Sequence, residues 1–261
     1  MENSIISRMQ SFKDWFHGYE DHFVVIGGGA CSLIMEEIGS DFRATRDIDI
    51  VLLIESLNAD FGRRFWDYVL DAGYAYCQKS TGKPQYYRFY KPKSKDYPEM
   101  IELFSRSANG LSLPEDAVIT PIPISEDVSS LSAILLGNDY YNFLRDGIRK
   151  IDGIPVLDEL HIIPFKAKAW LDLTGQRNSG GTVHRNDINK HRRDIYRLAT
   201  IVAPGYKFTL PQAIERDMRT YISEVQAFLM NIAPKERDAE RAGLEKITMF
   251  YGISHTLLKW K

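Results

Sequence analysis

Cysteine is scarce in this 261-residue chain. The two cysteines, Cys31 and Cys77, lack the C-x-x-C spacing of zinc ribbons and redox motifs, so neither a disulfide framework nor a cysteine-based metal site is expected. Free thiols in a reducing compartment are the simplest interpretation. We therefore expect a cytoplasmic protein.

The sequence also lacks an apolar run of the length that a membrane-spanning helix needs. The longest uncharged apolar stretch, Phe23 to Met35, falls short of the ~20 residues required, and three glycines interrupt it. Near the N-terminus Arg8, Lys13 and Asp14 break up the apolar residues, so no signal peptide is expected. These patterns predict no membrane partner.

Neither sign of charge dominates. Thirty-three Lys and Arg residues against 35 Asp and Glu residues give a net charge of -2, which argues against a uniformly basic nucleic-acid-binding protein. A local basic patch remains compatible with this balance. With 44% hydrophobic residues the chain can bury a substantial core, and its length favours two domains.

Helix and strand patterns alternate in the first half of the chain. The β-branched run HFVVI leads into three glycines and a helical pattern, and the increasingly apolar strand RDIDIVLLI follows. Further strands are predicted at YAYCQK, QYYRFYKP and MIELFSR. This order predicts an α/β (α+β) fold with a small mixed sheet flanked by helices.

Three prolines between Leu113 and Pro123 exclude a helix there and place the expected domain boundary, with domains at 1–124 and 125–261. The second domain is expected to begin with a short β segment. Short strands are predicted at SAILLG and in the run YYNFLRDGIRKIDGIPV around its two Asp-Gly turn signals. Four long helical patterns after Asp158 then predict a mostly helical C-terminal domain.

Asp47 and Asp49 are the first candidates for chemistry. Two Asp residues separated by one residue on a strand project from the same side, about 6.6 Å apart. Glu102 is a third acid inside the apolar strand MIELF, where a buried charge needs compensation. Magnesium would provide it, and three carboxylates around two ions can align a hydroxyl, a phosphorus atom and a leaving pyrophosphate. The alternative is a pair of solvated strand-end acids neutralised by Arg43 or Arg46.

Gly27 to Gly29 lie where a strand meets a helix, so their N–H groups and the positive helix end can approach a phosphate. A tight turn with close packing is the alternative. The G-x-G-x-x-G pattern of a Rossmann fold fails at Ser32, and no Gly-Lys-Ser/Thr of a Walker A loop follows.

Taken together, these motifs resemble the nucleotidyltransferase superfamily. Gly27-Gly28, Asp47-Ile48-Asp49 and Glu102 match, in order, its glycine pair, Asp-x-Asp strand and third acid. The longer pattern GG-x-A followed by R-x-T-x-D-I-D-I resembles the bacterial AbiEii/AbiGii toxin-type branch, which implies that Arg43 and Thr45 help to bind the nucleotide. The chain departs from the pattern in its longer spacing between the glycine pair and Asp47 and in a glutamate as third acid.

The resemblance extends into the second half. FKAKAWLDL and DINKHRRDIYRLA are similar to the Lys and Asp motifs of that branch, which implies that Lys166 or Lys168 binds the triphosphate and that Asp194 lies near the nucleotide. Because residues two apart on a helix point to different faces, at most one of these lysines is expected to enter a cleft. A surface ion pair between Lys190 and Asp194 is the alternative for that acid.

Positive charge is concentrated after His184. This region predicts either a phosphate-binding patch for an RNA acceptor such as tRNA or a solvated helix face. The aromatic residues around Phe89 are more typical of a strand core than of a base-stacking surface. The candidate RNA contacts are Arg185, Lys190, Arg192 and Arg193.

The resemblance implies a magnesium-dependent enzyme that transfers an NMP unit from ATP or another NTP to a hydroxyl of RNA, tRNA or protein and releases pyrophosphate. Asp47, Asp49 and Glu102 would bind two Mg²⁺ ions. The resemblance further implies the toxin of a toxin–antitoxin or phage-defence pair, with a cognate antitoxin protein as partner. A catalytically inactive nucleotide-binding regulatory or protein-interaction module and a structural protein are the alternatives.

Overall fold

The chain divides into two compact units, Met1–Asp158 and Glu159–Lys261. The computed structural model describes residues 5–76, 86–107, 119–122, 131–231 and 234–253.

One mixed sheet forms the centre of the first unit. Among the described residues its strands are hydrogen-bonded in the order β5-β6-β4-β2-β1-β8-β7, and β3 pairs with the first half of β4. The fold predicted from the alternation of helix and strand patterns is therefore confirmed. The strands are β1 (Phe23–Ile26), β2 (Asp47–Leu52), β3 (Arg88–Tyr90), β4 (Met100–Ser105), β5 (Ile119–Ile122), β6 (Leu131–Leu135), β7 (Ile148–Ile151) and β8 (Ile154–Leu157).

The helices of the first unit bury aromatic side chains in its core. Phe12 and Phe16 from the first helix are 1% exposed, and the Phe16 ring lies 6.0 Å from that of Phe65 in the third helix. Asn58 caps the third helix by accepting a hydrogen bond from the Phe61 N–H at 2.9 Å. The helices described in this unit are α1 (Ile5–Trp15), α2 (Gly27–Glu37), α3 (Ala59–Asp71) and α4 (Asn138–Asp146).

The structure corrects one element. Most of the segment between residues 138 and 146 was expected to be a short strand, and it forms helix α4, which buries Tyr141 and Leu144 at a three-residue spacing. The expected turn at Asp152-Gly153 is confirmed, since both residues have positive φ values, 47° and 79°, and connect β7 to β8.

The division between the units falls after Asp158, later than the boundary expected at 124/125. Strand β6 is hydrogen-bonded to β4, and β8 to β1, so the short β segment expected to open a second domain belongs to the sheet of the first unit. Part of the proline-rich stretch also joins this sheet as β5. The preceding residues 108–118, and Cys77 in the predicted strand YAYCQK, lie outside the described residues.

The second unit is helical, as predicted. Pro164 lies inside its first helix and has no N–H to donate to the carbonyl of Leu160, four residues earlier. The Tyr251 hydroxyl donates to that carbonyl instead, at 2.6 Å. No described helix has both the length and the apolar character needed to cross a membrane. The helices described here are α5 (Glu159–Asn178), α6 (Arg185–Ile201), α7 (Gln212–Leu229) and α8 (Pro234–Phe250).

Candidate functional site

Three acids lie on one face of neighbouring strands. β2 and β4 are parallel, and their register pairs Asp49 with Glu102. Side chains alternate between the faces of a strand, so Asp47 and Asp49 share a face, and the register adds Glu102 to it. These positions are partly exposed, whereas the intervening Ile48 and Ile101 are fully buried. The predicted common face of the two aspartates follows from this alternation.

Gly27 allows the Asp49 carboxylate to lie against the start of α2. Strand β1 pairs antiparallel with β2, which puts Ile26 opposite Asp49 and Gly27 directly beyond it. Gly27 has a φ of 66°, and a Cβ built on it would overlap the carboxylate oxygen and lie 2.8 Å from the Asp49 Cγ. Position 27 therefore requires glycine for two reasons: the Asp49 carboxylate fills the place of a side chain, and the backbone has a positive φ.

Arg43 and Thr45 approach the second glycine. A Cβ on Gly28 would lie 3.0 Å from the Arg43 guanidinium and 3.0 Å from the Thr45 methyl group. The guanidinium also donates to the Thr45 hydroxyl at 3.4 Å. The structure therefore gathers the predicted residues Gly27, Gly28, Arg43, Thr45 and Asp49 around the N-terminus of α2.

Glu102 forms an ion pair that the sequence reasoning missed. Arg88 in β3 lies opposite Glu102 in the antiparallel register, and both its Nε and Nη2 atoms contact Glu102 Oε1. The carboxylate is the more buried partner, since the Glu102 side chain is 15% exposed and that of Arg88 is 43% exposed. The available sequence signals were an arginine within the aromatic run YYRFY and, 14 residues later, a lone acid in the apolar strand MIELF.

A ready-made three-acid metal site is not found in the part of the chain that the structure describes. No group of three or more His, Cys, Asp or Glu side chains there is arranged to hold a metal ion, and Asp47, Asp49 and Glu102 are among the residues searched. The chemistry of a divalent ion nonetheless suits their side chains, because magnesium prefers carboxylate oxygens. In the structure, Arg88 compensates for the negative charge of Glu102.

The aromatic residues beside Arg88 form a core, as expected. Phe89 is fully buried, and its ring lies 5.8 Å from that of Trp66 in α3. Tyr86 also packs against Trp66, with its ring 5.9 Å away. The core interpretation is thus confirmed for Phe89.

In the second unit the structure distinguishes the two candidate lysines. Lys166 in α5 donates to Asp194 in α6 at 2.7 Å, and both side chains are less than 5% exposed. Lys168 is 40% exposed and pairs with Asp172 one turn later on its own helix. The alternative of a surface pair between Lys190 and Asp194 is wrong, because Asp194 is buried and Lys190 lies 3.4 Å from Asp187.

The basic stretch on α6 is only partly a surface. Arg185 and Arg193 are exposed, and Lys190 is partly exposed. The expectation that Arg192 contacts RNA is wrong, because Arg192 is only 5% exposed. Its Nε lies 2.9 Å from Glu240 in α8, and its guanidinium lies 4.3 Å from the centre of the Phe228 ring. The candidate RNA-binding face therefore does not include Arg192.

Comparison of the chain with protein-family models, with curated proteins and with solved structures gave no match.

Proposed function

We propose that the protein is a magnesium-dependent nucleotidyltransferase that transfers an NMP unit from an NTP to an acceptor hydroxyl. One observation carries the proposal. Asp49 and Glu102 lie opposite each other on neighbouring strands, and the Asp49 carboxylate contacts the N-terminus of α2, where Gly27 has no side chain to exclude it. Carboxylates beside a phosphate-binding helix end are the combination that metal-assisted phosphoryl transfer requires.

Asp47 and Asp49 would hold the metal, and Glu102 would complete the ligand set from the neighbouring strand. Bound magnesium would neutralise charge on the triphosphate and on the leaving pyrophosphate. The first N–H groups of α2 have no acceptors within the helix, so they are suited to phosphate oxygens. Arg43 adds a positive charge beside Gly28, where the same phosphates would lie.

The second unit supports the proposal through one contact. Lys166 lies in the motif FKAKAWLDL and Asp194 in DINKHRRDIYRLA, the two motifs of the second half that resemble the nucleotidyltransferase branch. Their side chains contact each other. This contact favours Lys166 over Lys168 as the lysine that acts together with Asp194. The exposed residues Arg185 and Arg193 and the partly exposed Lys190 are the retained candidates for contact with an RNA acceptor.

The test is transfer of labelled nucleotide. The protein is incubated with each labelled NTP, Mg²⁺ and total RNA or cell extract, and the label on acceptors is measured for the wild type and for Asp47→Asn and Asp49→Asn. We expect each substitution to reduce labelling at least ~10-fold, since removing a metal ligand costs no less than removing the residue that orients one.

Asp67→Asn is the matched control, because it removes the same charge from an exposed acid of α3, in the same unit. It should label acceptors like the wild type. Equal labelling by the wild type and both site variants would refute the transferase mechanism.

A nucleotide-binding module without catalysis is the second candidate. The Glu102–Arg88 ion pair favours it, because the third acid already has a cation as partner. This candidate predicts NTP binding in calorimetry without labelled product at any metal concentration.

A further inference from the structure

Glu102 is a carboxylate that requires a cation. Its side chain is 15% exposed, and a charge so far removed from water is costly unless an opposite charge compensates for it. Arg88 provides that charge through two nitrogens that contact the same oxygen, Oε1. A divalent ion bound at Oε1 would occupy the same position.

The ion pair is built into the sheet. β3 is a three-residue strand antiparallel to β4, and its register puts Arg88 directly opposite Glu102. Directly opposed residues of an antiparallel pair share a face and lie ~5 Å apart at Cβ. Arg88 therefore meets Glu102 because of where its strand pairs.

Magnesium and the guanidinium cannot share Oε1 at low cost. Two positive charges at the same carboxylate oxygen repel each other, and the repulsion is doubled because the metal carries two charges. Arg88 is the member of the pair that can leave, since its side chain is 43% exposed and long enough to place its charge in water.

We propose that Arg88 is the resident counter-cation of Glu102 and competes with divalent metal for its carboxylate. Metal binding then requires an exchange, in which Arg88 leaves Oε1 as the ion arrives. The inference rests on the proposed function, because it concerns the third acid of that site. It assigns Arg88, which the sequence motifs do not include, as a residue that sets the metal affinity of the site.

The experiment measures binding of Mn²⁺ alone, without nucleotide, by electron paramagnetic resonance or calorimetry. The full-length wild type is compared with Arg88→Gln, Glu102→Gln and the double variant. We expect Arg88→Gln to bind Mn²⁺ about tenfold more tightly, a change of the size that residues contacting metal ligands produce. The gain should disappear in the double variant, because the freed ligand is then missing.

Arg145→Gln is the matched control, since Arg145 is also a half-exposed arginine that pairs with a carboxylate in the first unit. It should bind Mn²⁺ like the wild type. Arg88→Lys is a second variant that keeps the charge and the strand position, and it should not reproduce the gain of Arg88→Gln. Thermal melting of each variant checks that it is folded.

Two outcomes separate this inference from the proposed function. Unchanged or weaker Mn²⁺ binding in folded Arg88→Gln would overturn the inference, and Asp47-dependent nucleotide transfer by the wild type would still support the function. Tighter, Glu102-dependent Mn²⁺ binding without nucleotide transfer by any variant would support the inference and contradict the function. Absence of Mn²⁺ binding in every folded variant would also overturn the inference, while the function would still be decided by the transfer of labelled nucleotide.

Discussion

Gly27 shows how a single residue shapes the candidate site. Its positive φ suits glycine, and the Asp49 carboxylate lies where any other side chain would begin. The two constraints are separable, because Gly39, just beyond the other end of α2, has nearly the same φ, 69°, but a Cβ added there would meet no heavy atom within 4 Å.

We expect Gly27→Ala to lower the free energy of unfolding more than Gly39→Ala does. The backbone conformation alone costs each alanine about 1–2 kcal/mol. The overlap with Asp49 should add about 1 kcal/mol or more at position 27. Urea denaturation followed by circular dichroism measures both values, and equal losses would show that the carboxylate moves aside at no cost.

At the scale of the element, helix α5 contains a proline and remains continuous. Pro164 leaves the Leu160 carbonyl without its usual intrahelical donor, and the Tyr251 hydroxyl, which follows α8 in the chain, donates to it. A residue about 90 positions away thus compensates for a local defect of the helix.

Tyr251→Phe should therefore destabilise the protein by about 1 kcal/mol, because the Tyr251 ring remains and only its hydrogen bond is lost. Tyr206→Phe removes a hydroxyl from an exposed ring and should change the free energy of unfolding by less than ~0.5 kcal/mol. Guanidinium denaturation of the two variants and the wild type makes the comparison. Similar stability of Tyr251→Phe and the wild type would mean that water replaces the hydroxyl.

At the scale of the whole molecule, Glu55 joins distant parts of the first unit. Its carboxylate accepts hydrogen bonds from Tyr141 in α4 at 2.6 Å and from Arg106 after β4 at 2.8 Å. Burial opposes ionisation of Glu55, but these hydrogen bonds outweigh it and hold the pKa of Glu55 below its ordinary value of 4.5.

This lowered pKa predicts a specific loss of stability in acid. The unfolded chain protonates Glu55 near pH 4.5, above the folded pKa, so the contribution is complete above that pH and disappears as the pH falls through the folded pKa. Glu55→Gln should be less stable than the wild type at pH 7, and the difference should shrink below pH ~4.5. Denaturation at a series of pH values tests this.

Glu224→Gln, at an exposed position of α7, is the control for loss of a surface charge. Its difference from the wild type should stay small across the same pH range. A constant difference between Glu55→Gln and the wild type from pH 7 to pH 3 would contradict the assigned role of Glu55.

Much of the fold could be read from local patterns. The strand of Asp47 and Asp49, the glycine turn and the four C-terminal helices each depend on residues a few positions apart, where periodicity and turn chemistry act directly. The segment at 138–146 was mispredicted as a strand because the Asp146-Gly147 pair at its end resembles a hairpin turn, although only the second pair, Asp152-Gly153, turns a hairpin.

Local sequence patterns predicted which residues could form a site and which elements carry them. The partners of those residues depend on the tertiary structure: Arg88 for Glu102, Asp194 for Lys166 and Glu240 for Arg192. Each pair joins different strands or helices, so it depends on strand register and helix packing. Those depend on burial summed over the whole unit, which no short stretch of sequence encodes.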